Sequence, residues 1–278
     1  MGIISSLNVG TVKPSFMIIG VQKAGTSSLY HYLSQHPQII TPKEKELHYF
    51  DTAVATPDKP YLEMFPKSYL TKKISFDATP RYIYFPGTAK KIYEFDPNMK
   101  FVVVLRDPVK RAFSAWNMYR QMQNDEKRQL QFIAHEQTNE REKLHSYLNK
   151  EKFPSFEEWS NKELSNSFDA NIIEPSIIRR GYYKMQIEAY LKYFNLDSFL
   201  FLDFDSFKLD VKDNLNRVTR FIGISNFEAI EIDLEPKNVR TYKESLSDDL
   251  YKKLKVHYQL KNKGLEELVN LKLSWMNS

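Results

Sequence analysis

Cysteine is absent from the sequence. That excludes a disulfide framework, a thiolate metal site and a cysteine nucleophile. No apolar stretch approaches the ~18 residues that a membrane span requires. The first 13 residues lack the basic-then-apolar layout of a secretory leader. There is no internal repeat and no low-complexity tract. Nor is there a Lys/Arg block of the kind that grips nucleic acid. Lys90-Lys91 and Lys252-Lys253 are only pairs, and solvated helix faces account for them. The expectation is a soluble cytoplasmic protein, or the soluble domain of a membrane-anchored parent, without a nucleic-acid partner.

What is present is core-forming material. The 278 residues are 42% hydrophobic and 14% aromatic, which supports a packed interior over disorder. The length allows one large domain or two small ones, and a single domain over residues 1–278 is the expectation adopted. Forty basic against 35 acidic residues leave a net charge of +5, which favours an anionic ligand, although the charges are interspersed.

The apolar, β-branched run Phe101-Val102-Val103-Val104-Leu105 reads as a strand covered on both faces, as in a parallel sheet. Asp107-Pro108 then supplies a cap and first turn for a helix over residues 109–119. Further strands are expected at 16–19, 74–76 and 199–202, and a helix at 26–35. A helix over 182–194 is expected, with Met185, Ala189 and Phe194 among its apolar positions. Leu215, Val218, Phe221 and Ile222 form a stripe ending at Gly223, and Leu250, Leu254 and Tyr258 form another after Ser247. Alternating strands and helices predict an α/β fold, a P-loop-like three-layer sandwich with a central, mostly parallel sheet flanked by helices. Residues 121–152 are rich in Gln, Glu, Lys, Arg and Asn. They read as a charged helical excursion, either a lid over a cleft or a solvated insertion.

Three constellations carry chemistry. In the first, Gly20-Val21-Gln22-Lys23-Ala24-Gly25-Thr26-Ser27-Ser28 follows a strand and opens a helix. Such a loop turns backbone N–H groups toward one point, which suits an anion. A nucleotide triphosphatase would place lysine after the second glycine. Here Thr26 stands there, and Lys23 lies inside the loop.

In the second, Arg106 stands at the carboxyl end of the buried strand, and Ser114 follows two helical turns later. The pair suits a second, separate phosphate, held by a forked charge-assisted contact. A magnesium-dependent phosphotransferase would want a carboxylate at that strand end. In the third, Lys43-Glu44-Lys45-Glu46-Leu47-His48-Tyr49-Phe50-Asp51 places Glu46 and His48 two apart. In an extended segment both would share one face, and either is suited to take a proton from a bound hydroxyl.

On these residues the chain resembles the sulfotransferases that use 3′-phosphoadenosine 5′-phosphosulfate (PAPS), nearest the heparan-sulfate-type and bacterial small-molecule enzymes. Residues 20–29 resemble the family's 5′-phosphosulfate loop, and 104–119 its 3′-phosphate strand and helix. Lys45-Glu46-Leu47-His48-Tyr49-Phe50-Asp51 resembles the segment with its catalytic glutamate. Less specific are Arg180-Gly181-Tyr182-Tyr183, residues 199–223 and Pro236-Lys237-Asn238-Val239-Arg240. The resemblance runs in the expected order from residue 15 to about 270.

The resemblance implies sulfuryl transfer from PAPS to a small-molecule or carbohydrate acceptor, without a metal. Glu46 would be the general base, with His48 positioning it or serving as base instead. Lys23 would stabilise charge on the bridging oxygen. Ala24, Gly25, Thr26, Ser27 and Ser28 would hold the 5′-phosphate. Arg106 and Ser114 would hold the 3′-phosphate, with Tyr182 and Arg240 also on the nucleotide. One departure is Ala78, where the family often carries lysine before Thr-Pro. Its loss argues against a heparan-like acceptor, with Arg81 as a partial substitute. The rival readings are a P-loop small-molecule kinase and a non-catalytic polyanion-binding protein.

Overall fold

A computed structural model describes residues 10–51, 58–68, 73–123, 125–127, 129, 148, 152–165, 176–227, 230–237, 242 and 244–276. Its centre is a four-stranded parallel sheet. In chain order the elements that place the site are β1 (Pro14–Gly20), α1 (Thr26–Leu33), β2 (Ser75–Ala78), α2 (Thr88–Phe95), β3 (Lys100–Leu105) and α3 (Pro108–Met122). They continue with α4 (Phe156–Leu164), α5 (Tyr183–Leu191), β4 (Phe199–Asp203), α6 (Phe204–Leu209), α7 (Val211–Ile222) and α8 (Asp248–Lys261).

The strands lie in the order β2-β1-β3-β4, with Ile18 beside both Ala78 and Val102, and Val103 beside Phe201. Phe101 through Leu105 are fully buried, so helices cover β3 on both faces, as its unbroken apolar run requires. The chain leaves β1 for β2 on one side, then crosses to β3 on the other. The carboxyl ends of β1 and β3 are therefore neighbours at a topological switch point, where open α/β sheets take their ligands.

The capping prediction is borne out. Asp107 accepts from the amides of Val109 at 2.8 Å and Lys110 at 3.2 Å, with Pro108 in the first turn. Gly223, at φ 80°, ends α7, and Ser247 caps α8. Trp116, Tyr119, Trp159, Leu254 and Tyr258 form a second apolar cluster, where α3 meets α4 and α8.

One helix turns a different face inward than the sequence suggests. α5 buries Tyr183, Gln186, Ile187 and Tyr190, whereas Met185 is 58% exposed and Ala189 is exposed. The aromatic residues at 183 and 190 bury more area than Met and Ala, so they set the inward face. The excursion at 121–152 lies mostly outside the described residues.

Candidate active site

The loop after β1 is held at both ends. The Val21 amide donates to the Val104 carbonyl at 3.0 Å, which keeps the chain on β3 beyond the end of the strand. The Ala24 amide then turns back to the Val21 carbonyl at 3.1 Å. Gly25 caps α1 at φ 77°, and a Cβ there would stand 2.9 Å from the Phe204 ring, so both backbone and space call for glycine. Lys23 also lies in the left-handed region, at φ 72°.

Gly25 has no side chain to cap α1, so among the described residues its first-turn amides keep the orphan donors that every helix N-terminus leaves. Lys23, Gly25 and Ser27 are partly exposed along the loop, while Ala24, Thr26 and Ser28 are buried. The Ser28 hydroxyl is engaged: it accepts from the Lys237 amide at 3.0 Å and lies 3.4 Å from that residue's carbonyl. Tyr32 and Gln35 bind the same segment at Leu234 and Asp233. Thus α1 docks the strap that leads toward Arg240, a residue outside the described set.

Arg106 comes from the end of β3 to this loop. Its Nη1 donates to the Lys23 carbonyl, and its guanidinium lies 4.7 Å from the centre of the Phe204 ring. Burial lowers its pKa, while Tyr242, Tyr183 and Asp205 oppose the shift and Arg111 adds to it. Its Nε has no hydrogen-bond partner among the described residues, and the same holds for Nε and Nη1 of the fully buried Arg111. The first-turn amides suit one anion, and the unpaired guanidinium donors suit a second, separate one.

Ser114 is brought to the same region, with its hydroxyl 2.7 Å from that of Tyr242. Tyr182 bonds to α8. Its hydroxyl meets Nε2 of His257 at 2.8 Å, and burial raises its pKa to about 12. Its neighbour Tyr183 is the one that reaches the Arg106 carbonyl, at 2.8 Å.

Glu46 and His48 also come together, but not as a strand would bring them. Both residues adopt positive φ, 63° and 52°, in a non-repetitive loop. His48 Nε2 stands 3.8 Å from Glu46 Oε2, and Nδ1 stands 2.8 Å from Asp51 Oδ2. A carboxylate only accepts, so Nδ1 carries the proton toward Asp51 and Nε2 faces Glu46. Lys45 forms an ion pair with the other oxygen of Glu46. Burial alone would raise the Asp51 pKa, but the hydrogen bond and charge of His48, together with Arg81, bring it below the usual value. Arg81 Nε lies 3.7 Å from Asp51, and the guanidinium packs on Phe85. Ala78 is buried at the end of β2.

Sequence reasoning named Asp51 only within its motif. Its i+3 spacing from His48 was the available signal. Phe204 and Tyr242 lie ~100 residues or more from the arginine and serine they touch, and no local pattern marks them. Among the described residues, no group of three or more His, Asp and Glu side chains is placed to hold a metal, and no helix is long and apolar enough to cross a membrane.

Comparison with known proteins places this architecture. The family model for the sulfotransferase domain matches residues 13–265. A solved sulfotransferase from Alicyclobacillus acidocaldarius is 26% identical, with a TM-score of 0.69, over 96% of this chain and 99% of that one. A membrane-associated sulfotransferase of Dictyostelium discoideum is 38% identical over 106 residues, 37% of this chain and 22% of its own length. Heparan sulfate glucosamine 3-O-sulfotransferase 3B1 of Mus musculus is 27% identical over 76% of this chain and 46% of its own length. The chain thus spans about half the length, or less, of these curated relatives.

Proposed function

The chain belongs to the sulfotransferase domain family, and on that premise we propose that it moves the sulfuryl group of PAPS to a hydroxyl or amine of a small molecule or sugar. The observation that carries this reading is the junction of two anion stations at the switch point, where Arg106 donates to the Lys23 carbonyl at 2.5 Å.

In this reading, the amides of residues 23–28 and the Thr26 and Ser27 hydroxyls hold the 5′-phosphate. Arg106 and Ser114 hold the 3′-phosphate, with Arg240 closing over it. Glu46 takes the proton of the acceptor hydroxyl as its oxygen bonds to sulfur. The bond between sulfur and the bridging phosphate oxygen breaks, and Lys23 stabilises the charge that collects there. A sulfate ester and adenosine 3′,5′-bisphosphate leave. Preorganised charge of this kind is usually the largest catalytic contribution. His48 orients Glu46 or shares its proton. Phosphoryl transfer is set aside because β3 ends in Arg106, whereas a magnesium site would require a carboxylate there.

The acceptor class is the finer part of the proposal. The mouse relative is named for heparan sulfate glucosamine. Ala78 removes a cation from that side of the cleft and favours an acceptor less anionic than heparan sulfate.

The test is ligand stabilisation in EDTA. Adenosine 3′,5′-bisphosphate at a hundred times its Kd should stabilise the protein by about 2.7 kcal/mol, and ATP by far less. A preference for ATP that magnesium strengthens would overturn the reading. Labelled PAPS offered with a panel of hydroxylated acceptors and glucosamine oligosaccharides then identifies the acceptor.

A further inference from the structure

The carboxylate of Asp77 is fully buried at the end of β2, beside the catalytic loop but outside the groups assigned above. Three hydroxyls converge on it. Thr79 Oγ1 donates to Oδ1 at 2.7 Å, and Tyr82 and Tyr61 donate to Oδ2 at 2.9 and 3.1 Å. Both phenols donate to Oδ2, so both point their hydrogens at it. The lone pairs of the Tyr82 oxygen are thereby turned outward. They receive the Tyr49 amide at 3.0 Å, with the Phe50 amide 3.5 Å away. Tyr49 directly follows His48.

Tyr61 holds the same residue in another way: its ring stacks on that of Tyr49 with centroids 4.6 Å apart. The carbonyl of Tyr82 is anchored in turn by the Tyr190 hydroxyl of α5 at 2.9 Å. A rigid chain therefore runs from the sheet, through Asp77 and Tyr82, to the backbone at His48. It ends where the loop needs support. Glu46 and His48 both have positive φ. That conformation costs an ordinary residue free energy and persists only where surroundings over-determine it.

We infer that Tyr82, oriented by Asp77, is a positioning residue that sets the backbone at His48 and so holds His48 against Glu46 for acceptor deprotonation. This role rests on the sulfotransferase reading above, but its test does not rest on activity alone.

Tyr82→Phe keeps the ring and removes the oxygen that receives the Tyr49 amide. Tyr61→Phe removes one donor from the same Asp77 oxygen and leaves the Tyr49 amide contact in place. Tyr61→Phe is therefore the control for the loss of a phenol from Asp77. For Tyr82→Phe, kcat with PAPS should fall tenfold or more, while the Kd for adenosine 3′,5′-bisphosphate stays within twofold. Tyr61→Phe should keep kcat within about threefold at a similar loss of Tm. Nitrogen NMR of the histidines, with His48 assigned through His48→Gln, gives a readout independent of sulfation. The ring-nitrogen resonances of His48 should move in Tyr82→Phe and stay in place in Tyr61→Phe. If Tyr82→Phe does not fold, Asp77→Leu replaces it. Leucine offers the Tyr82 hydrogen no acceptor, so the hydroxyl loses the group that orients it, and the same loss of kcat and NMR shift are expected. Equal kcat losses in both phenol variants, or unchanged His48 ring-nitrogen resonances in Tyr82→Phe, would overturn the inference. Failure of the wild type to use PAPS, with the NMR contrast intact, would overturn the reaction instead.

Discussion

The Nη1 of Arg106 donates to the main-chain oxygen of Lys23 across 2.5 Å, joining two motifs 83 residues apart. The guanidinium is a fork of five donors. One is used on the loop, one face rests on Phe204, and Nε has no hydrogen-bond partner among the described residues. Arg106 is thus placed to brace the loop and still offer donors to a phosphate.

Arg106→Ala should weaken binding of adenosine 3′,5′-bisphosphate by roughly ten- to a hundredfold, the scale of a lost hydrogen bond to a charged group, about 1.5–3 kcal/mol. Arg106→Lys should recover only part of it, because a single ammonium cannot serve both the Lys23 carbonyl and the phosphate. Isothermal titration of the three proteins measures this. Full recovery by lysine would argue that only charge matters.

Lys23→Ala should cut turnover by roughly a hundredfold or more, the cost of losing one transition-state donor. The nucleotide Kd should change far less, since the loop amides remain. Near-normal turnover in steady-state assays would remove Lys23 from the chemistry.

Glu46→Gln should abolish transfer and leave the bisphosphate affinity intact. His48→Ala should leave residual turnover, because the imidazole acts beside Glu46, 3.8 Å away. If His48→Ala is the dead variant and Glu46→Gln is active, the two roles exchange.

His36 sets a pH limit on stability. It is 1% exposed, its Nδ1 accepts the Gln38 amide at 3.1 Å, and its Nε2 therefore donates to the Ser225 carbonyl at 3.0 Å. Burial lowers its pKa; the Ser225 hydrogen bond opposes the shift, and Lys73 assists it. Below the ordinary value of ~6.5, the unfolded chain binds a proton that the native state refuses. The neutral contact is worth most above that pH, and its benefit declines as pH falls toward the folded pKa. Melting curves from pH 8 to 5 should show the wild type losing more Tm than His36→Gln. Parallel curves would contradict the assignment.

Much of this was legible locally. The unbroken β3 run required burial on both faces, and Asp107-Pro108 announced a capped helix, because each signal lies within a few residues of its effect. Met185 was misleading because a helix can present a methionine to water when larger aromatics claim its inner face. Glu46 and His48 do meet, but not through the extended backbone their spacing suggests. Their positive φ values depend on Tyr82, Asp77 and Asp51 packed around them, and alternation along the sequence carries no trace of that.

The sequence by itself determined the elements and their chemistry: a lysine inside a strand-to-helix loop, an arginine closing a buried strand, and a glutamate and a histidine two residues apart. These are short-range properties of residue type and spacing. Tertiary structure alone decided which of them meet. The strand order β2-β1-β3-β4 makes β1 and β3 neighbours, so the Lys23 loop and Arg106 share one carboxyl edge. Strand order is a choice among long-range pairings, made by packing the whole apolar core at once, and no local stretch of residues encodes it.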